Sequence, residues 1–283
     1  MHVFVAGSTG VLGRRVVPAL VAAGHRVTAL TRRAEAAAGL RAQGVAVAFA
    51  DVYDREALIR VVTEAGPDVV MHQLTDLSTA DLAANARMRD VGTRNLVDAA
   101  RAAGVRRIVA QSIAWAYEAG EDPADETTPL DDAATGPRRG TVDGVIALER
   151  AASELPEWVV LRYGLFYGPG TWFAVDGIKA ADARALRLPV GRDVSSFVHV
   201  DDAAAAAVAA LDWPSGVVNV VDDEPATADE WVPAFARAVG ASSAGAVHAP
   251  HAHWARGADN HFARKHLNWT PAHLSWRSGF DTI

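Results

Sequence analysis

Residues 3–13 read VFVAGSTGVLG, an apolar run that passes directly into glycines at positions 7, 10 and 13. The apolar run predicts a buried strand, and the pattern from Arg14 to Ala23 predicts a helix after the glycine turn. Glycines at this spacing permit a tight turn, close approach of backbone amides to a pyrophosphate, and close packing of helix on strand. We therefore expect a bound dinucleotide here; the alternative is that the glycines serve packing alone. The expected contacts are Gly7, Thr9, Gly10, Val11, Leu12 and Gly13.

Beyond this turn, short β-branched runs alternate with longer alanine-rich stretches of helical period, as in parallel strands joined by crossover helices. The predicted strands are Val3–Ala6, Val27–Leu30, Val45–Ala48, Val69–Met71, Ile108–Ala110 and Val159–Arg162. The predicted helices lie near residues 11–23, 54–65, 80–103 and 141–154. Because right-handed crossovers cover both faces of a parallel sheet, we expect an α/β fold with a doubly wound parallel sheet. Its ligand is expected at the carboxyl edge of the strands.

The regular alternation ends near residue 164, so a second, smaller domain is expected. Helices are predicted over Thr171–Arg187, Asp201–Leu211 and Thr227–Val239, and strands over Ser195–Val200 and Val217–Val221. The acidic, proline-containing stretch Glu118–Arg139 predicts an exposed loop. We expect a Rossmann domain formed by residues 1–163 with 197–223, and a substrate-binding cap formed by residues 164–196 with 224–283.

Composition excludes several classes of function. The chain has 283 residues, 27 Lys and Arg against 34 Asp and Glu, and no cysteine, so disulfides, thiolate nucleophiles and iron–sulfur clusters are excluded. No cluster of basic residues offers a nucleic-acid surface. No apolar run is long enough for a membrane span, and the first residues lack the features of a signal peptide. We expect a cytoplasmic protein whose partner is a small molecule.

The end of the second predicted strand indicates which dinucleotide binds. An acidic residue there would accept hydrogen bonds from the ribose 2′-hydroxyl, but the sequence has Arg32 and Arg33 instead. Two guanidiniums suit a 2′-phosphate, which favours NADP(H) over NAD(H); a solvated pair at a helix start is the alternative. Asp51 and Val52, after the third strand, are expected to face the adenine, although Asp51 could instead cap the next helix.

Further motifs follow in a fixed order along the chain. They are His72-Gln73-Leu74, GTRNLVDAA at 92–100, RIVAQS at 107–112, LRYGLFYGPG at 161–170, SFVHVDDAA at 196–204 and LNWTP at 267–271. With the glycine turn, this series resembles the extended short-chain dehydrogenase/reductase superfamily, specifically its NAD(P)-dependent epimerase/dehydratase group. The resemblance implies a Rossmann fold and either a homodimer, through the helices near 80–103 and 141–154, or a monomer. It also implies cofactor contacts at Val52, Gln73, Leu74, Thr75, Gln111, Tyr163, Gly164 and Phe166.

The chain departs from this resemblance at the residues that carry catalysis. Family members have a Tyr and, one helical turn later, a Lys; the matching positions here are Thr141 and Val145. The family Tyr protonates the developing alkoxide, and the Lys lowers the pKa of that Tyr. An aliphatic hydroxyl is a much weaker acid than a phenol, whose pKa is about 10, and valine carries no charge. The usual acid is therefore missing.

Other residues are candidates for the missing proton donor. The resemblance implies that Ser112 is the family's catalytic serine, placed to hydrogen-bond a substrate carbonyl. Tyr117 offers a phenol near the same sheet edge, with a pocket wall as the alternative, and His199 has a suitable pKa but lies in a stretch that is structural in the family. We predict Ser112, Tyr117, His199 and Thr141 as the candidate catalytic residues.

Aromatic residues and histidines supply the remaining signals. The resemblance places Trp115, Trp172 and Phe173 near the substrate, which suits an apolar or aromatic compound; ordinary core aromatics are the alternative. Six of the ten histidines fall in the last 36 residues, at positions 248, 251, 253, 261, 266 and 273. Their spacing does not match HExxH, so we expect no metal site.

Three functions are consistent with these residues. The first is an NADP(H)-dependent oxidoreductase acting on a small carbonyl-type substrate without the Tyr/Lys pair, since a well-positioned substrate can still accept hydride. The second is a redox-silent NADP-binding regulatory or interaction protein. The third is a non-redox isomerase or cyclase that uses the nucleotide structurally.

Overall fold

The structure, a computed structural model, describes residues 1–77, 81–242 and 246–283. The described chain forms two compact units. The first comprises Met1–Ser112, Asp132–Leu161 and Ala204–Val217; the second comprises Ile113–Asp131, Arg162–Ala203 and Val218–Ile283. Relative to the domains predicted from sequence, residues 113–131, 162–163, 197–203 and 218–223 belong with the second unit instead of the first.

The strands confirm the parallel sheet predicted from the sequence. They are β1 His2–Ala6, β2 Arg26–Thr31, β3 Ala46–Phe49, β4 Val69–His72, β5 Arg107–Ile113, β6 Glu157–Tyr163, β7 Leu165–Tyr167, β8 Val194–Ser195, β9 Phe197–His199, β10 Gly216–Val220 and β11 Ala226–Thr227. Among the described residues, seven of them form one parallel sheet in the order β10-β6-β5-β4-β1-β2-β3. Two short pairs, β11 with β8 and β7 with β9, lie outside this sheet.

The helices follow the same order along the chain. They are α1 Gly13–Ala22, α2 Ala34–Ala42, α3 Arg55–Ala65, α4 Leu82–Arg87, α5 Thr93–Ala102, α6 Gly136–Ala152, α7 Ile178–Arg184, α8 Val200–Ala209, α9 Ala228–Ala238, α10 His261–His266 and α11 Trp276–Gly279. A π-helical segment, Met88–Gly92, connects α4 to α5, and a 3₁₀ turn covers Phe280–Thr282. In the described part of the chain, no helix combines the length and apolar character needed to cross a membrane.

The register of the sheet brings the strand ends of the first unit to one edge. Ala6 pairs with Leu30 and His72, and His72 pairs with Ala110. All five residues of β1 are buried, as expected for a strand covered on both faces. The residues that follow β1, β2 and β4 therefore lie along the same carboxyl edge, where the sequence predicts the ligand.

Four segments differ from the sequence predictions. Helix α2 was not predicted, and the helix predicted over residues 80–103 is divided by the π-helical segment, with residue 80 outside the described residues. Helix α6 begins inside the predicted loop because Pro137 occupies its first turn, where no backbone donor is needed. Of the helix predicted over Thr171–Arg187, only α7 is helical. A side chain at Gly177 would lie 2.4 Å from the carbonyl oxygen of Trp172, which shows how tightly the preceding turn folds.

The second unit has an aromatic core of its own. Phe173, 3% exposed, packs edge-on against Phe197 and Phe235 at ring-centroid distances of 5.3 and 5.2 Å. Trp231, Trp276 and Phe280 belong to the same cluster. Edge-to-face aromatic pairs stabilise a core beyond the effect of their buried area. Phe173 is therefore a core residue, which was the alternative to a place near the substrate.

Candidate functional site

The glycine turn of the first unit has no room for side chains. Gly7 has a φ of +97°, and a Cβ atom on it would lie 2.4 Å from the carbonyl oxygen of Gln73. A Cβ on Gly13 would lie 2.1 Å from the carbonyl oxygen of Gly7. No side chain caps the start of α1, where the N–H groups of Arg14 and Val16 donate to the carbonyls of Gly10 and Leu12. A strand, a bare turn and an uncapped helix N-terminus form a cradle for a pyrophosphate.

The two arginines after β2 reach different neighbours at the edge of this cradle. Arg33 Nη2 donates to Thr9 Oγ1 at 3.0 Å, so one guanidinium touches the glycine turn itself. Arg32 Nη1 lies 3.6 Å from Asp51 Oδ2, and their side chains are 65% and 42% exposed. Arg32 thus stays accessible on the side of β2 that faces β3. This geometry suits a phosphate on the adenine ribose, and the NADP preference stays a prediction.

Gln73 provides a test of whether the residues fit a cofactor. Its side chain is 4% exposed, and neither its amide oxygen nor its amide nitrogen has a hydrogen-bond partner among the described residues. An unpartnered buried amide is costly, so such groups in native proteins usually face a ligand or water. Because Gln73 follows β4 directly beside Gly7, its amide fits a bound dinucleotide. Leu74 and Gln111 are half-buried at this edge, and Thr75 is exposed.

His72, the residue before Gln73, is held as a neutral imidazole. Its Nδ1 accepts from the N–H of Leu74 at 3.2 Å, which leaves Nε2 to donate to Thr93 Oγ1 at 2.8 Å. Burial, with a smaller effect from the nearby Arg89 guanidinium, lowers the pKa of His72 to about 4. A charged imidazole is disfavoured there because both ring nitrogens are engaged and no water reaches them. His72 therefore orients Leu74 without carrying charge.

The positions that match the family's Tyr and Lys are closed to solvent. On α6, Thr141 is 5% exposed and Val145 is fully buried. Ser112, also fully buried, donates from Oγ to Glu149 Oε1 at 2.8 Å. The sequence did not indicate this partner. The catalytic roles of Ser112 and Thr141 stay predictions, and both side chains are buried within the first unit.

Arg89 is a residue in this region that sequence reasoning missed. It lies on the π-helical segment and is 4% exposed. Burial lowers the pKa of Arg89 to about 10, while the Glu149 carboxylate acts in the opposite direction. Buried cations are rare, and π-helical segments occur often at functional sites. Among the described residues, the buried arginines are Arg89 and Arg162, and no sequence signal marked Arg89.

In the second unit, the candidate proton donors make contacts within the protein. The Tyr117 hydroxyl donates to Asn219 Oδ1, its ring lies 4.7 Å from the Arg162 guanidinium, and it is 1% exposed. His199, 6% exposed, stacks on His273 with ring centroids 3.7 Å apart. These contacts account for Tyr117 and His199 structurally, and proton transfer by either one stays a prediction.

The other tyrosines are also sheltered. The Tyr163 hydroxyl donates to the carbonyl of Ala203 at 3.2 Å, and its ring packs edge-on against Phe166 at 5.2 Å. Burial raises the pKa of Tyr163 and of Tyr167 well above the ordinary value. In the first unit, burial also raises the pKa of the half-buried Tyr53.

His199, Asp202 and His273 bring potential ligand atoms within 4.8 Å of one another. The Asp202 carboxylate accepts from the N–H groups of Ala272 and His273 and from His273 Nδ1, each at 2.9 Å. These bonds anchor residues 272–273 to α8. The expectation that the chain binds no metal stays a prediction.

A pocket of about 300 Å³ lies wholly within the second unit. Its walls include three tryptophans, Trp115, Trp172 and Trp254. The rest of the lining is Ala114, Gly164, Leu165, Asp193, Val194, Ser195, Ser196, Ala255 and Gly257. A cavity of roughly 150 Å³ is enough for a benzene ring, so this pocket can hold a substituted one. Trp115, Trp172 and Gly164 thus line a pocket, and the predicted place of Trp115 and Trp172 near a substrate stays a prediction.

A model of the NAD dependent epimerase/dehydratase family matches residues 3–221. The chain belongs to this family. Two similar proteins are reductases. The 3-diazoavenalumate denitrifying reductase of a Streptomyces species is 46% identical to this chain, and the match covers 99% of each protein. The ceramide reductase of Caulobacter vibrioides is 33% identical over 78% of this chain and 64% of its own.

Solved structures of the epimerase/dehydratase type share the fold. The UDP-glucose 4-epimerase of Thermus thermophilus, in complex with NAD, aligns over 100% of this chain and 97% of its own, with a TM-score of 0.77 and 28% identity. The dTDP-glucose 4,6-dehydratase of Bacillus anthracis, at 18% identity and a TM-score of 0.77 over 100% of this chain and 94% of its own, shows the fold alone. These relatives support an oxidoreductase role and a nicotinamide cofactor for this family member.

Proposed function

We propose that this protein is an NADP(H)-dependent reductase that removes the diazo group from a small aromatic compound and releases dinitrogen. The first unit binds the dinucleotide at the glycine turn, and the second unit binds the aromatic ring in the tryptophan-lined pocket. Support comes from the denitrifying reductase, which is 46% identical over 99% of each chain. Arg32 and Arg33 are the basis for NADP(H) rather than NAD(H).

The observation that carries the proposal is Thr141 and Val145 in place of an acid and a cation. Reduction of a ketone creates an alkoxide, which needs a proton donor. An arenediazonium ion is already cationic, so adding hydride neutralises it and no oxyanion forms. A site without the Tyr/Lys pair is therefore sufficient for the diazo reaction and poorly suited to ketone reduction.

The reaction balances without an external acid. The cofactor, when bound, supplies hydride, that is, two electrons and one hydrogen. The terminal nitrogen of the diazonium substrate gains that hydride to give an aryldiazene. The carbon–nitrogen bond then breaks, dinitrogen leaves, and the hydrogen moves to the ring carbon. One diazonium ion and one NADPH yield one arene, one dinitrogen and one NADP⁺. The chain's own residues need only bind and orient the two reactants and limit the access of water.

The test is to incubate the purified protein with NADPH and para-methoxybenzenediazonium carrying heavy nitrogen. We expect anisole and heavy dinitrogen in equal amounts with oxidised cofactor, and a slower reaction when the transferable hydrogen of NADPH is deuterium. Para-methoxyacetophenone serves as the matched ketone and is expected to remain unreduced. A reaction no faster than that of NADPH with the diazonium salt alone, or reduction of the ketone only, would contradict the proposal.

A further inference from the structure

We propose that Asp193 recognises positive charge in the tryptophan-lined pocket, which makes the pocket a site for planar aromatic cations. The inference rests on the proposed function for the identity of its natural ligand, an arenediazonium ion. It goes further in assigning the specificity for charge to one carboxylate. Its binding test does not depend on hydride transfer.

The charge of the pocket lining is concentrated at one residue. Among the described residues that line it, Asp193 is the sole ionisable one, and three of the others are tryptophans. Indole rings present a negative face that attracts cations, and they also stack on flat rings. A carboxylate beside three indoles therefore favours a flat ligand that carries positive charge, and it disfavours an anionic group at the same place.

Asp193 is fixed by contacts that use only one of its oxygens. Oδ1 accepts from the N–H of Ala252 at 2.7 Å and contacts His251 Nδ1 at 3.0 Å. Oδ2 has no hydrogen-bond partner among the described residues, and the Asp193 side chain is 33% exposed. Two contacts on Oδ1 hold the carboxylate in place and leave Oδ2 available for a ligand. His251, one of the clustered histidines, thus acts as a positioning residue for Asp193.

This arrangement has a kinetic consequence that separates recognition from catalysis. The positive charge of a diazonium ion disappears as hydride is added, so attraction by Asp193 is greatest before the reaction. Such an interaction stabilises the bound substrate more than the transition state. Removing the charge of Asp193 should therefore raise KM while kcat stays the same or increases. A residue with a merely structural role would lower both kcat and the stability of the fold.

The binding test uses two probes of nearly the same shape. Benzamidinium is a flat aromatic cation and benzamide its neutral counterpart, and tryptophan fluorescence reports the binding of each. In the wild-type protein we expect benzamidinium to bind about ten-fold more tightly or better, as for one charge-assisted hydrogen bond. In Asp193→Asn most of this preference should be lost. Equal affinities in the wild-type protein would overturn the proposal without any need for a variant.

A matched control comes from a similar Asp–His pair in the same unit. Asp259 Oδ1 accepts from the N–H of His261 at 2.9 Å and lies 3.2 Å from His261 Nδ1, but Asp259 does not line the pocket. Asp259→Asn should keep the full preference for benzamidinium. If it loses that preference as Asp193→Asn does, general electrostatics explain the effect and the assignment to Asp193 is wrong.

The outcomes also separate this inference from the proposed function. Diazonium reduction with no preference for benzamidinium would leave the reductase intact and refute the role of Asp193. A preference that depends on Asp193, without diazonium reduction, would support the cation site and refute the reductase. In Trp172→Ala, weaker binding of both probes would support the tryptophan pocket as their location; unchanged binding would contradict it.

Discussion

Ser112 Oγ donates to Glu149 Oε1 at 2.8 Å, and Glu149 lies one helical turn after Val145 on α6. The serine that the family resemblance marks as catalytic is thus bonded to a carboxylate from the helix that lacks the Tyr/Lys pair. In this arrangement the hydroxyl links β5 to α6.

Replacing Ser112 therefore tests a structural bond against a catalytic one. Ser112→Ala should lower the free energy of unfolding by about 1 kcal/mol, the typical net contribution of one hydrogen bond. Diazonium turnover should fall less than about ten-fold, because no proton has to reach a substrate oxygen. Chemical denaturation and steady-state kinetics measure the two effects. A loss of turnover near a thousand-fold with unchanged stability would show that the hydroxyl acts on the substrate.

Arg32 is expected to distinguish the two dinucleotides. Arg32→Ala should weaken NADPH binding by about ten-fold or more, since a charge-assisted phosphate contact is lost. NADH binding should change little, because NADH has no 2′-phosphate. Calorimetric titration of both cofactors measures the difference. The control is Arg106→Ala, which removes another exposed arginine of the first unit, paired with Glu157 at 3.7 Å. Equal weakening of both cofactors by Arg32→Ala would argue against a phosphate contact.

Gln73 should show opposite effects on stability and binding. Gln73→Met removes an unpartnered buried amide, so the cofactor-free protein should gain about 1 kcal/mol of stability. The same change removes the amide from the cofactor, so NADPH should raise Tm less than in the wild type. Thermal unfolding with and without NADPH measures both effects. Gln43→Met is the control, because Gln43 is exposed and donates to the carbonyl of Gly39. A variant that binds NADPH as the wild type does would place Gln73 outside the cofactor site.

His72 predicts a loss of stability in mild acid. Its pKa in the folded protein is about 4, below the ordinary 6.5, so the unfolded chain binds more protons between these values. The folded protein therefore loses stability as the pH is lowered across this window. The loss due to His72 is about 2 kcal/mol at about pH 5 relative to about pH 7. Urea unfolding at the two pH values measures it. His72→Gln should reduce this dependence, whereas the control His261→Gln, at an exposed histidine, should not. Identical pH profiles for wild type and His72→Gln would refute the assignment.

The sheet could be predicted because its strands are short apolar runs bounded by glycines. Helix α2 could not, since only Ala37 and Leu40 of this alanine-rich segment are buried and no apolar stripe marks its inner face. The place of Phe173 could not be predicted either, because neighbouring residues need not face the same way. Trp172 lines the pocket while Phe173 enters the aromatic core.

The cofactor site was more predictable than the pocket for a physical reason. The glycine turn is one continuous segment whose residue types follow from local geometry. The pocket combines Trp115, Asp193 and Trp254 from distant parts of the chain, and the bond from Ala252 to Asp193 spans 59 residues. Such contacts depend on tertiary folding, so neither Asp193 nor His251 carries a recognisable local motif.

The burial of the tyrosines affects how the protein reacts with an arenediazonium ion. Arenediazonium ions couple with phenolates and react with thiolates and amines. The chain has no cysteine and two lysines, and three of its four tyrosines, Tyr117, Tyr163 and Tyr167, are at most 1% exposed. Burial raises the pKa of the fourth, Tyr53, so it forms less phenolate. We therefore expect little azo coupling at the tyrosines of this protein, and peptide mapping by mass spectrometry after prolonged exposure to an arenediazonium ion would measure it.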